Sequence, residues 1–421
     1  MIPAETALNT GEIRNQFPAL RRKVNGRPAV FLDGPAGSQT PQCVADAVSE
    51  YLLKTNANRG GPFATAAESD AILDAAHVTL ADFVGATDPN EICFGANMTT
   101  ITFHVSRALA RQWQPGDEII VSRLDHDGNV TPWVLAAADA GATIRFVDLR
   151  PDDWMLDVDD LQRKLSDKTR LVAVGYAANS TGTINPVQNI TRLAHDAGAL
   201  VYIDAVHFAP HGRMHVDHIG CDFLVCSAYK FFGPHVGVLW GRRSLLEEKQ
   251  PYKLRPAPDS LPGRWMTGTQ NHEGIAGAAA AVEYLASLGV TGSNSVDSGR
   301  SARLDAAFSR IMAYEKSLSL RLVSGLSEIP GVTVNGIRDP ERVTERVPTV
   351  SLTVAGKTPR ELAQALAGEG IFVWAGNHYA QPFTEAADLE PDGTLRIGAL
   401  HYNTLDEIDQ VTETLGRMTK W

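Results

Sequence analysis

The chain has 421 residues, 44% hydrophobic and 21% charged, which is enough for a sizeable core and fits two domains better than one. A formal net charge of -11 argues against nucleic acid or an anionic membrane as a partner, because both attract a basic face. No apolar run reaches the length of a membrane span, and the opening MIPAETALNTGEIRNQF lacks the basic-then-apolar pattern of a secretory leader.

Residues 1–30 read as a polar arm leading into Val30-Phe31-Leu32. Short apolar runs then alternate with helix-like stretches. EICF (91–94), EIIVS (118–122), TIRFVDL (143–149), RLVAVGY (170–176), LVYIDA (200–205), FLVCSA (223–228) and VGVLWG (236–241) predict strands, while 99–113 and 186–199 predict helices. Such alternation predicts an α/β domain around a mostly parallel sheet, over residues 31–290. The stretch TGSNSVDSG (291–299) reads as a transition. Helical text at 301–329 and short strands including TVSLTV and FVWAG predict a smaller α+β domain, 291–421, packing back on the first. Cys43, Cys93, Cys221 and Cys226 are scattered without paired spacing, and Cys221 and Cys226 read as buried thiols. These features together predict a cytoplasmic enzyme.

Several strand ends carry polar residues with chemical potential. Lys230 follows an apolar strand in CSAYKFFGP, so its amine projects at a sheet edge, where open α/β sheets bind ligands. The plainer reading is a solvated surface lysine. Asp204 closes the strand of LVYIDAVHF, where a strand-end cap is the bland alternative, and His207 follows three residues later. ICFGANMTTITF passes from a strand through Gly95-Ala96-Asn97 into a helix that begins Met98-Thr99-Thr100. Free N–H groups and the helix dipole favour an anion there, Ser227 adds a hydroxyl, and a simple N-cap is the structural alternative. His126 in SRLDHDGNVTPW and Asn179 in YAANSTGTINP also end strands. Arg396 in GTLRIGALHYNT offers a planar fork for a carboxylate.

A lysine for an imine, an acid for a pyridinium nitrogen, a stacking ring, an anion cradle and a carboxylate-gripping cation are what a pyridoxal 5'-phosphate (PLP) enzyme needs. Lys230, Asp204, His126, the 97–99 turn and Arg396 are the candidates. Asn179 can bond the cofactor's phenolic oxygen, and His207 can reach that oxygen or a substrate group.

From FLDGPAGSQTP to LHYNTLDEID the chain resembles the class V aminotransferase and cysteine desulfurase family. The matching stretches are DHDGNVTPW, NSTGTINP, YIDAVH, SAYKFFGP and TGTQN, in the family's order. The resemblance implies the PLP-dependent transferase fold of aspartate-aminotransferase type, with catalytic Lys230, His126 and Asp204. It further implies cofactor contacts from Asn97, Met98, Thr99, Asn179, His207, Ser227 and Tyr229. It implies a homodimer in which Thr269 reaches the neighbouring subunit's phosphate. An amino-acid substrate would meet Ala36, Asn179, Tyr379 and Arg396.

The departures from the family point to the reaction. Tyr379 in VWAGNHYAQP stands where a desulfurase carries its nucleophilic cysteine, and all four cysteines precede residue 227. Trp374 replaces an arginine, Tyr229 a histidine, and Asn97-Met98-Thr99 the usual Thr-Thr or Thr-Glu of the phosphate loop, so backbone donors should matter more there. Tyr379 and Trp374 are expected to make the pocket bulkier, with Tyr379 either donating to substrate or filling space. A lyase acting by β-elimination, or an aminotransferase, is expected, with epimerisation the alternative and persulfide-forming desulfuration disfavoured. A non-catalytic PLP-binding regulator would need a basic face. His207, His211, His215 and His218 recur at near-helical spacing, but Pro210 and Gly212 interrupt a helix and no metal is expected.

Overall fold

The structure is a computed structural model that describes residues 8–290 and 298–419. Seven strands form one sheet: β1 (Ile92–Gly95), β2 (Glu118–Ser122), β3 (Thr143–Val147), β4 (Thr169–Gly175), β5 (Leu200–Asp204), β6 (Phe223–Ser227) and β7 (Gly237–Gly241). Their order is β1-β7-β6-β5-β4-β2-β3. All run parallel except β7, which is antiparallel to β1 and β6. The central strands are apolar throughout because helices cover both faces: Leu171, Val172, Ala173 and Val174 are all fully buried.

A second sheet, wholly antiparallel, holds β8 (Val332–Asn335), β9 (Thr349–Val354), β10 (Trp374–Gly376) and β11 (Thr394–Gly398) in the order β8-β9-β11-β10. The helix Arg300–Ser327 joins the two cores. Its first half buries Leu304, Phe308 and Ile311 in the core beneath the seven-stranded sheet. Its second half buries Leu318, Leu322 and Leu326 against the four-stranded one. The segment after the arm behaves similarly: Val30–Phe31 pairs in parallel with Ile371–Phe372. Strand alternation then sends Ala29 and Phe31 into the first core and Val30 and Leu32 into the second. Most of the predicted transition lies outside the described residues, since 291–297 are not among them. Among the described residues, no helix is long and apolar enough to cross a membrane.

Candidate active site

Five parallel strands end at one edge of the larger sheet, and each delivers a polar residue there. Asn97 follows β1, Asp125 and His126 follow β2, and Asn179 follows β4. Asp204 closes β5 with His207 beyond it, and Ser227 closes β6 with Lys230 beyond it. All of them line one cavity of about 350 Å³, together with Met98, Thr99, Tyr229 and His235. That position is where side chains of an open α/β sheet project past the hydrogen-bonded ladder. The volume suits a small-molecule site, typically ~300–1,000 Å³.

Lys230 is 9% exposed, and its Nζ donates to Pro35 O. The loop that carries Pro35 is stitched on both sides. Gly34 N donates to Gly398 O at 3.3 Å, Ser38 N to Tyr229 O at 3.0 Å, and Phe232 N to Ser38 Oγ at 2.8 Å. This brings Ala36, whose N donates to Asp33 O at 2.8 Å, into the loop over Lys230. Burial lowers the amine's pKa to about 7; Arg396 lowers it further and Asp204 opposes the change. Much of the lysine is therefore neutral and nucleophilic near neutral pH.

Asp204 is buried, and its Oδ1 accepts from Val206 N at 2.9 Å. Burial raises its pKa to about 7, with Asp125 adding to the rise and Val206 N and Lys230 opposing it. Asp125 was not visible as a site residue in the sequence. Its carboxylate accepts from Ser122 Oγ at 2.7 Å, Gly175 N at 2.9 Å and Asn129 Nδ2 at 2.8 Å, tying two strand ends together. Burial raises its pKa to about 6.

Two imidazoles in the cavity are kept neutral. Burial, then Lys230 and Arg396, lower His126 to about 4, and its Nδ1 accepts from Gly128 N at 2.9 Å. His207 lies 3.1 Å from Thr349 Oγ1 through Nε2, and burial lowers its pKa well below the ordinary histidine value. Asn179 Nδ2 donates to His378 O at 2.8 Å, while its buried Oδ1 has no partner. Arg396 projects from β11, where its Nη1 donates to Asn179 O at 3.0 Å. Burial lowers its pKa to about 9, which leaves it cationic at neutral pH.

At the helix start, Asn97 Oδ1 accepts from Thr100 N and Ser227 Oγ accepts from Met98 N, both at 2.9 Å. The ring of Tyr379 stacks on His126, but Tyr379 is 72% exposed and does not line the cavity, so the bulk expected of it inside the pocket is absent. Five expected residues are not part of that lining: Ala36, Thr269, Trp374, Tyr379 and Arg396. Thr269 is exposed and does not line its own chain's cavity. Trp374 does not line the cavity either: it sits on the edge strand β10, 52% exposed, so the bulk expected of it inside the pocket is absent. Of the four spaced histidines, His211 Nδ1 pairs with Glu315 Oε2 at 2.7 Å and His215 Nε2 with Asp305 Oδ1 at 3.2 Å.

A family model for aminotransferase class-V matches residues 30–411. The chain belongs to the class-V aminotransferase family. It is 31% identical to a probable cysteine desulfurase of Halalkalibacterium halodurans, over 98% of this chain and 99% of that one. It is 32% identical to an aminotransferase-like protein of Gibberella zeae, with the same coverage of both chains. Among solved structures, the cysteine desulfurase of Thermococcus onnurineus NA1 matches with a TM-score of 0.86 at 26% identity, and the Escherichia coli cysteine desulfurase CsdA with 0.83 at 27%. Each of these structural matches covers 98% of both chains.

Class-V aminotransferases are PLP-dependent, and this chain is a PLP-dependent enzyme of amino-acid chemistry. The cavity fits that cofactor. It offers a largely neutral buried amine, a buried carboxylate, a neutral ring, and hydroxyl and backbone donors at a helix N-terminus. Asn179 Oδ1 is a buried polar atom that lacks a protein partner, as expected beside a ligand site.

Proposed function

We propose that the chain holds PLP on Lys230 and acts on an amino acid by β-elimination or transamination, as a cytoplasmic homodimer. The observation that carries this reading is the pairing, in one buried cavity, of the Lys230 amine with the Asp204 carboxylate, each near pKa 7. In this reading Asp204 holds the proton of the pyridine nitrogen, and a neutral His126 lies on the ring face. Asn179 and His207 serve the phenolic oxygen. Asn97, Met98, Thr99, Ser227 and Tyr229 serve the phosphate end, completed by Thr269 of the partner subunit. Bound there, PLP supplies an electron sink for charge developing at the substrate Cα.

Arg396 grips the substrate carboxylate, with Ala36, Asn179 and Tyr379 as neighbours. Lys230 Nζ carries the proton at Cα, and its lowered pKa matches a general base working near neutrality.

Persulfide transfer is disfavoured because no cysteine lines the cavity. Cys93, Cys221 and Cys226 are buried, and burial raises their pKa values far above the thiol range. Cys43 is exposed, on the helix Gln42–Glu50. Nor can a phenol at Tyr379 form the S–S bond that sulfur relay requires.

The test is an amino-acid panel scored for keto acid, ammonia and sulfide. With cysteine as the probe, the expected products are pyruvate, ammonia and sulfide. Alanine together with a persulfide on the protein would overturn the reading.

A further inference from the structure

The helix Met98–Ala110 offers an anion fewer free amides than its N-terminus first implies. First-turn N–H groups have no intrahelical acceptor. Here, however, Met98 N is taken by Ser227 Oγ and Thr100 N by Asn97 Oδ1. Of these three amides, only Thr99 N is left for a ligand. The hydroxyls of Thr99 and Ser227 add donors without charge. A phosphate ester is bound more firmly by a charge-assisted hydrogen bond than by neutral donors alone. The cavity's other cations are not placed for it: Lys230 is assigned to the aldehyde end, and burial keeps His126 and His207 neutral.

His235 stands beside this gap. It lines the cavity together with Asn97, Thr99 and Ser227. It also leads into β7, whose first residue, Gly237, pairs with Gly95 at the end of β1 and with Ser227 at the end of β6. A Cβ at Gly237 would lie 2.6 Å from Asn97 C, so the absence of a side chain lets β7 approach the helix start this closely. The His235 ring stacks on Tyr229, with centroids 5.0 Å apart and planes 14° from parallel. Among the described residues, no hydrogen bond or ion pair occupies its ring nitrogens.

We infer that His235 is the charged donor to the cofactor phosphate, its ring held in plane by Tyr229. The inference rests on the PLP reading above. It moves the cation of the phosphate site from the helix turn to the entry of β7. Tyr229 becomes a positioning residue that acts through His235.

The test titrates apo-protein with PLP and, separately, with pyridoxal, which lacks the phosphate, following absorbance. His235→Gln should raise the Kd for PLP about tenfold to a hundredfold, the loss of a charged hydrogen bond, and leave pyridoxal binding unchanged. His235→Arg should restore the preference for PLP over pyridoxal. Equal weakening of both ligands by His235→Gln would make His235 a shaping residue only and overturn the inference, as would an unchanged Kd for PLP. Wild-type protein that binds neither ligand would instead remove the PLP reading, and this inference with it.

Discussion

The phenol of Tyr379 lies almost parallel to the imidazole of His126, with ring centroids 5.4 Å apart and planes 23° from parallel. Asp127 N donates to Tyr379 O at 2.6 Å and Asn179 Nδ2 to His378 O at 2.8 Å, so two strand-end loops clamp this turn. His378 and Tyr379 both have positive φ, 58° and 56°, a conformation that side-chain-bearing residues adopt only when held. Tyr379→Ala removes a stack worth about 1 kcal/mol. It should lower kcat/KM about twofold to tenfold while the bound cofactor's absorbance stays. Tyr379→Phe keeps the stack, so any further loss in that variant measures a hydroxyl contact with substrate. Unchanged kinetics in both variants would remove Tyr379 from the site.

The pH dependence of cofactor capture follows from Lys230. Only the neutral amine attacks an aldehyde. With the amine's pKa lowered to about 7, its neutral fraction rises as pH climbs through that value and is nearly complete a unit or so above it. Stopped-flow uptake of PLP by apo-protein should therefore accelerate from pH 6 to about 8 and then level off. An acceleration that continues to pH 10 would mean a lysine at its ordinary value and contradict the burial described here.

Asp204→Asn separates holding the cofactor from activating it. The amide keeps the shape and the bond from Val206 N but cannot hold a pyridinium proton. PLP should still bind, and kcat should fall by about 10² or more, the scale of losing a key electrostatic group. Turnover within about twofold of wild type would reassign Asp204 to a structural role.

The strand-end residues were legible because one local pattern places them: an apolar run too long to be surface, followed at once by a polar side chain. β2, predicted over EIIVS, forms over the same five residues. The reversed direction of β7 was not legible, since an apolar run is the same read either way. Asp125 was missed because beside His126 it resembles a turn aspartate. Ser122 and Asn129 are local partners, but the bond from Gly175 N forms only once β2 and β4 are neighbours. His235 carries no local signal, because it reaches the cavity only through the pairing of β7 with β1 and β6. Trp374 was misplaced for a related reason: nothing in VWAGNH says that its strand lies at a sheet edge.

The proposed homodimer makes Thr269 informative. Exposed, and absent from its own chain's cavity, it is free to serve another copy. Light scattering should give twice the 45.4 kDa of one chain. Thr269→Ala should weaken PLP retention severalfold, about one neutral hydrogen bond, without changing that mass. A fully active monomer would exclude any role for a second subunit.

The central claim is that Lys230 is the covalent anchor of PLP, and borohydride reduction of the PLP-loaded protein followed by peptide mapping tests it most directly. The predicted result is a single pyridoxyl-lysine at Lys230, with Lys230→Ala neither labelled nor showing the absorbance of a lysine-bound cofactor. A label on any other lysine, or a Lys230→Ala protein that still carries reducible PLP, would contradict it.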